Sequence, residues 1–230
     1  MFKWFLPIFR PGWPDEARLI AQSPTFRSLT ADFPLFGRCL NAGCGEGLYC
    51  HFIDSFPGVT EVVNVDLSGT KEKLKNLPTP RYQAWDASLT DLPFETASFD
   101  SAICTEVLEH IQDDSAAVGE LARCLKSGGR LLVSVPRPPA PFDSAHVREG
   151  YTLADLTALL ATHGFRVQGA GECMSVWMAI LLAVWRWQHK VLGRGRRNLM
   201  PRFVVRAFGY FDRLIPLGRK WDLAVLAVRQ

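Results

Sequence analysis

The 230-residue chain has no C-x-x-C pair and no apolar run of the ~20 residues that a membrane-spanning helix needs. Between Met174 and Lys220 it also has only one carboxylate, Asp212. Each shortage excludes something. The six cysteines (Cys39, Cys44, Cys50, Cys104, Cys124, Cys173) stand singly in apolar stretches, which argues against a zinc site and reads as free thiols in a reducing, cytoplasmic compartment. The most apolar run, MSVWMAILLAVWRW at 174–187, holds Arg186 near its end and is too short to cross a bilayer. The shortage of acid leaves ten Lys and Arg against Asp212 in 174–220, a local charge of +9, while the rest carries sixteen bases and twenty-two acids, or −6. A basic segment is therefore set apart from an acidic remainder. The first nine residues, MFKWFLPIF, are interrupted by Pro7 and followed by Arg10 with no small-residue cleavage site. They are expected to form an arm packed on the domain, with Phe2, Trp4 and Phe5 as a membrane-contact alternative, and not a secretory signal.

A further absence lies in RCLNAGCGEGLY. The dinucleotide fingerprint G-x-G-x-x-G would need its third glycine at position 48, where the chain has Leu48; the glycines are Gly43, Gly45 and Gly47, a G-x-G-x-G spacing. Glycines at such a turn allow left-handed dihedrals and let a ligand approach backbone amides at a helix start. Alone, the turn is equally compatible with an ordinary loop.

Beyond the turn the pattern is regular. Extended segments are expected at 38–41, 61–66, 81–85, 99–104, 130–135 and 165–169, the fifth introduced by Gly128-Gly129. Helices are expected at 48–56, 71–77, 115–125 and 151–163, with two short helices over 14–31. Alternation of strand and helix predicts a parallel sheet covered on both faces, with ligands at the carboxyl ends of the strands. Asp66 closes the second strand 19 residues after Gly47, where a carboxylate can accept from both hydroxyls of a ribose. Asp86 closes the third, and Thr105 and Glu106 follow the fourth. One aspartate at a strand end is ordinarily a cap, but three consecutive strands that deliver polar groups to one edge are not explained that way.

The runs LNAGCGEG, VVNVDLS, WDASLTDLPF, SFDSAICTEVLEHI and LKSGGRLLVSVP, in this order over 38–136, resemble the class I S-adenosylmethionine-dependent methyltransferases, particularly the small-molecule type 11 group. The resemblance implies a doubly wound, mostly parallel seven-stranded sheet, the Rossmann-like methyltransferase fold, whose last strand returns antiparallel; 221–229 has the pattern for it. It implies that Gly43, Gly45 and Gly47 line the methionine part of S-adenosylmethionine, that Asp66 binds the ribose, and that Leu67 packs on the adenine. Asp86 and Ala87 would meet the adenine edge, with Thr105 and Glu106 completing the wall. Asn41 stands where the family commonly has an acid that helps hold the cofactor's amino group.

Methyl transfer is an in-line displacement, so the protein's task is to align the acceptor and exclude water. Proton removal is the open matter. Glu106, Glu109 and His110 in Glu-x-x-Glu-His fall on nearby parts of one helical turn, which suits a general base or a divalent metal equally. By resemblance, a similar motif carries Mg²⁺ or Mn²⁺ in ubiquinone-pathway O-methyltransferases and in small-RNA terminal 2′-O-methyltransferases, where a downstream histidine completes the site; His146 is the candidate here. The main expectation is a metal-free pocket wall with His110, His146 and Glu106 as catalytic candidates, and Glu106, Glu109, His110 and His146 as ligands the alternative. The proline-rich stretch before Tyr151 is expected to be an acceptor-side wall or lid.

The divisions expected are 1–37 (arm and helices), 38–173 (cofactor-binding core), 174–220 (basic helical insertion) and 221–230 (last strand). In the insertion, Pro201 opens a helix with Val204, Phe208, Phe211 and Ile215 in apolar period and Arg202, Arg206 and Arg213 on another stripe. Either the insertion packs as a lid over the acceptor pocket or it attaches reversibly to an anionic membrane, making the protein peripheral there. The leading function is methyl transfer to an oxygen or nitrogen of a small-molecule or lipid-linked acceptor. The rivals are a non-catalytic binding module on the same fold and an RNA methyltransferase. Nucleic acid is disfavoured because aromatic and aliphatic residues crowd the basic stretch. Acceptor identity and oligomeric state stay open.

Overall fold

The computed structural model describes residues 13–75, 77, 81–139, 145–192 and 200–230. The expected N-terminal arm, the centre of the proline-rich stretch and Arg194, Arg196 and Arg197 lie outside those residues. Seven strands, β1 (Gly37–Ala42), β2 (Val59–Asp66), β3 (Tyr82–Asp86), β4 (Phe99–Thr105), β5 (Leu125–Pro136), β6 (Phe165–Cys173) and β7 (Asp222–Arg229), form one sheet in the order β3-β2-β1-β4-β5-β7-β6. The pairs joining β3, β2, β1, β4 and β5 are parallel, and β7 runs antiparallel to β5, from Arg130 opposite Val228 to Pro136 opposite Asp222. The central strands read as near-continuous apolar runs because helices cover both faces. Leu40, Val63, Ala102, Leu131 and Val225 are buried in one core that takes in Val118 and Leu121 of α4 (Asp114–Cys124) and Leu156 and Leu160 of α5 (Leu153–Thr162). Helix starts are fixed by side chains: Asp113 accepts from the Ala116 amide, and Thr152 with Asp155 forms a capping box.

Several expected boundaries move for physical reasons. Strand pairing of β5 already begins at Leu125, opposite Phe99, and Gly128, at φ +78°, absorbs an irregularity before Arg130 pairs with Ser101. The two glycines therefore lie inside the strand and do not introduce it. Helix α2 (Cys50–Asp54) and α3 (Thr70–Lys73) are shorter than expected. Pro57 disfavours helical dihedrals at Phe56 and so bounds α2. Two short helices were expected over 14–31, but α1 (Pro14–Leu29) is continuous, with Pro24 inside it.

The chain divides into two compact units, and the division within α1 falls at Pro24. The larger comprises Thr25–Glu172 and Asp222–Gln230; the smaller comprises the described residues up to Pro24 with Cys173–Trp221. The first part of α1 thus groups with the insertion and not with the stretch up to residue 37. In the smaller unit α6 (Val176–Leu192) and α7 (Arg202–Leu214) pack with α1 around Ala17, Ala21, Met174, Met178, Leu181, Met200 and Val205. Gly209 is required there, because a Cβ would stand 2.7 Å from the Ala17 carbonyl oxygen. Asp212, 4% exposed, accepts from the Ser175 amide at 2.9 Å, the Ser175 hydroxyl at 2.7 Å and the Met178 amide at 3.2 Å, tying α7 to the start of α6.

Candidate active site

The strand order reverses between β1 and β4, and a ligand site in such a sheet lies outside the carboxyl ends of the strands at that point. The glycine turn leaves β1 there. The amides of Gly43 and Cys44 both donate to the Val65 carbonyl, at 2.8 and 2.9 Å, which docks the turn on the end of β2. Gly43, Gly45 and Gly47 all have positive φ, of 71°, 51° and 77°. Their surroundings differ. A Cβ on Gly43 would meet Val107 Cγ2 at 2.3 Å and one on Gly47 would meet Leu74 Cδ2 at 2.7 Å, but nothing lies within 4 Å of one on Gly45. Gly43 and Gly47 are thus needed for packing, while Gly45 borders open space.

Directly behind that space stands Asp66. Its Oδ2 accepts from the Gly45 amide at 2.7 Å and its Oδ1 from the Leu67 amide at 2.8 Å. Each carboxylate oxygen retains a further lone pair, so hydroxyl donors can still be received. Leu67 is 73% exposed, an apolar side chain presented beside the carboxylate. Ala87 joins the same edge through its amide, 2.9 Å from the Asp66 carbonyl. This glycine cradle, carboxylate and exposed leucine fit a nucleoside carrying a short polar tail.

Asp86 and Asn41 are placed differently from a simple cofactor wall. Asp86 Oδ1 accepts from the Thr70 amide at 2.8 Å, and this bond holds its carboxyl below the usual carboxylate range. It acts as the missing cap of α3, where the N-cap position itself is Gly69. Asn41 is 1% exposed, pairs with Asn64 across β1 and β2, and donates its amide to Asn64 Oδ1 at 2.8 Å. Asn64 in turn donates to the Gln83 carbonyl at 3.1 Å, so a buried amide ladder runs beneath the turn. The nearby thiols of Cys44 and Cys50 are pushed up to about 12 by burial, and they stay protonated at neutral pH.

After β4 the chain does not continue into the single helical turn expected for Glu-x-x-Glu-His. Thr105 is 5% exposed at the strand end. Glu106 has φ +56°, an uncommon and costly conformation for a residue with a side chain. It is held there by Ser134 of β5, whose carbonyl accepts the Glu106 amide at 2.9 Å and whose hydroxyl donates to Oε1 at 2.8 Å. Only Leu108–His110 form a short 3-10 turn. Glu106 is thereby separated from Glu109, His110 and His146, whose ligand-type atoms all lie within 4.8 Å of one another. Glu109 is 1% exposed, and the two imidazole rings meet edge to face at 4.7 Å. His110 Nδ1 is 3.0 Å from the Ala145 carbonyl, which can only accept, so Nδ1 carries the proton in the neutral ring and Nε2 is left basic. His110 Nε2 stands 3.8 Å from Glu109 Oε1.

Residues that the sequence did not single out bring His146 to this place. Val147 donates its amide to the Glu109 carbonyl at 2.9 Å. Arg148 reaches the Gln112 carbonyl at 3.1 Å and pairs with Asp114, while the Tyr151 hydroxyl donates to Asp114 at 2.7 Å. All of these are long-range bonds, and no local pattern in 145–151 announces them.

Residues 40–133 match the family model described as a methyltransferase domain. A probable S-adenosylmethionine-dependent methyltransferase of Mycobacterium tuberculosis is 34% identical over 133 residues, 55% of this chain and 47% of that protein. A ubiquinone biosynthesis O-methyltransferase of Xanthomonas oryzae pv. oryzae is 35% identical over 120 residues, 50% of this chain and 49% of that protein. The chain thus spans about half the length of these curated relatives. Among solved structures, the Burkholderia thailandensis 1,6-didemethyltoxoflavin-N1-methyltransferase with bound 1,6-didemethyltoxoflavin and S-adenosylhomocysteine superposes with a TM-score of 0.60 at 17% identity. That likeness covers 94% of this chain and 78% of the other, and it speaks for the fold. The matched segment contains the glycine turn, Asp66, Asp86 and Glu106 to His110, so the sheet edge described above lies within the part of the chain that matches a methyltransferase domain and is similar to S-adenosylmethionine-dependent methyltransferases.

Proposed function

We propose that this chain transfers a methyl group from S-adenosylmethionine to an oxygen or nitrogen of a small-molecule or lipid-linked acceptor. The observation that carries the reading is the open face of Gly45 with Asp66 behind it, on the same sheet edge as the Glu109, His110 and His146 cluster. When bound, S-adenosylmethionine supplies an electrophilic methyl group on a sulfonium. Asp66 receives the ribose hydroxyls, Leu67 covers an adenine face, and the backbone of the glycine turn borders the methionine portion. His110, with its tautomer fixed by the Ala145 carbonyl, takes the proton from the acceptor's nucleophile at Nε2. Buried Glu109 stabilises the imidazolium that results.

A divalent ion is the second reading, favoured by the convergence of one carboxylate and two imidazoles. These residues fit such an ion, but Glu106 stands outside the set, and two nitrogens with one oxygen suit Mn²⁺ or a later transition ion better than Mg²⁺. It would act as a Lewis acid lowering the acceptor's pKa. Chelator treatment separates the two readings. The base reading expects activity indifferent to chelation and reduced about 100-fold or more by His110→Ala; the metal reading expects activity lost on chelation, restored by Mn²⁺, and Mn²⁺ binding abolished by His146→Ala. The acceptor class is tested by incubating the full chain with labelled cofactor and fractionated cell extract. Label in the small-molecule or lipid fraction supports the proposal, and label confined to RNA or protein refutes it.

A further inference from the structure

The two long helices of the smaller unit are apolar on the side turned away from their own core. Along α6, Val176, Ile180, Val184, Trp187 and Val191 are all exposed, Trp187 to 62%. Their spacings of four, four, three and four residues gather them into about a quarter of the helix circumference at 3.6 residues per turn. The opposite face holds Met178, Leu181 and Trp185, which pack inward. On α7 the outer stripe is Phe203, Tyr210 and Leu214, the last 71% exposed, opposite buried Val205, Gly209 and Asp212. The helices run antiparallel, since Trp177 at the start of α6 lies 5.5 Å from the ring of Phe211 and donates Nε1 to the Ile215 carbonyl at 2.8 Å. Phe211 and Ile215, both exposed, carry the apolar surface from one helix to the other.

The charges are arranged around this strip. By the same helical period, Arg186 and Lys190 fall on the flank of α6 away from Trp177, and Arg206 and Arg213 on the flank of α7 away from Phe211. Arg202, on that second flank, is paired with Glu16. The one carboxylate in the two helices, Asp212, is buried and held by Ser175 and Met178, so neither helix shows an acid at its surface. An apolar strip edged on both sides by cations matches an anionic lipid surface: the strip enters the headgroup and acyl boundary while the flanking side chains reach phosphates. A nucleic acid would use the cations and leave the strip exposed. A second copy would bring like-charged flanks together. No helix among the described residues is long and apolar enough to cross a membrane.

We infer that the outer face of α6 and α7 docks in the plane of an anionic bilayer surface. This contact does not depend on which acceptor the methyltransferase domain uses. The test is flotation of the full chain with phosphatidylglycerol-rich and with pure phosphatidylcholine vesicles. Wild type is expected to float with the anionic vesicles at low salt and several-fold less at high salt without vanishing, because screening acts on the cations and not on the apolar strip. Trp187→Gln with Leu214→Gln should lose about tenfold or more at either salt. Lys190→Gln with Arg206→Gln and Arg213→Gln should bring anionic binding down towards the neutral level. All five positions are exposed, and circular dichroism checks that each variant folds. A readout without those variants is quenching of tryptophan fluorescence by brominated lipid, strong in wild type and weakened in Trp187→Phe. The inference is overturned if wild type stays soluble beside anionic vesicles at low salt, or if the Trp187/Leu214 variant binds like wild type. A lipid-independent dimer that Trp187→Gln dissociates would overturn it too.

Discussion

Three glycines in one turn have different roles, and substitution separates them. Alanine at 43 puts a methyl group 2.3 Å from Val107 Cγ2 at a φ of +71°, so left-handed strain and overpacking combine to a loss of about 2–5 kcal/mol of stability. Alanine at 45 meets nothing, and only the strain of φ +51° remains, about 1–2 kcal/mol. Its methyl group instead projects into the space assigned to the cofactor. Urea denaturation and calorimetry together should therefore show Gly43→Ala as mainly a stability variant and Gly45→Ala as mainly a binding variant, with cofactor affinity down about tenfold or more. Equal effects on stability would remove the distinction. The sequence displays the turn, because G-x-G-x-G between a short extended segment and an apolar-periodic run is a local signal. It does not display which glycine borders open space, since Val107 and Leu74 lie far along the chain. The position of Asp66 at the end of β2 was legible from the strand pattern. The capping duty of Asp86 towards Thr70 and the pairing of Asn41 with Asn64 were not, because each depends on strand register.

Among the elements, period and punctuation pointed to the parallel strands and the family resemblance to the antiparallel return of β7, but where local pattern met a long-range constraint the latter won. Glu-x-x-Glu-His has helical spacing, yet Ser134 on the neighbouring strand captures Glu106 before a helix can start. Removing Glu106 from the cluster leaves a histidine pair with one buried carboxylate, assembled by the Val147, Arg148 and Tyr151 contacts. A similar long-range tie holds α6 and α7. Asp212→Ala would leave the Ser175 and Met178 amides and the Ser175 hydroxyl without their buried acceptor, at a cost of roughly 3 kcal/mol. Asp212→Asn retains an acceptor oxygen and should cost less. Hydrogen exchange at the start of α6 reads this directly: protection there should fall in the alanine variant, and unchanged protection would show that packing alone holds the helices.

At the scale of the whole molecule, the larger unit carries the sheet edge with the glycine turn and Asp66, and the smaller one a basic, outwardly apolar helix pair, two features that the charge asymmetry of the sequence already separated. The division itself was less legible, because α1 is one helix by local structure while Ala17 and Ala21 bury against the partners of α6. The central claim is that the sheet edge after β1 and β2 binds S-adenosylmethionine through Asp66. Calorimetric titration of the full chain with S-adenosylmethionine, repeated with Asp66→Ala, tests it most directly. Loss of a hydrogen bond to a charged group predicts saturable binding by wild type and an affinity reduced about tenfold or more in the variant. A wild type that does not bind, or that prefers NAD, or an Asp66→Ala variant that binds as tightly as wild type, would contradict it.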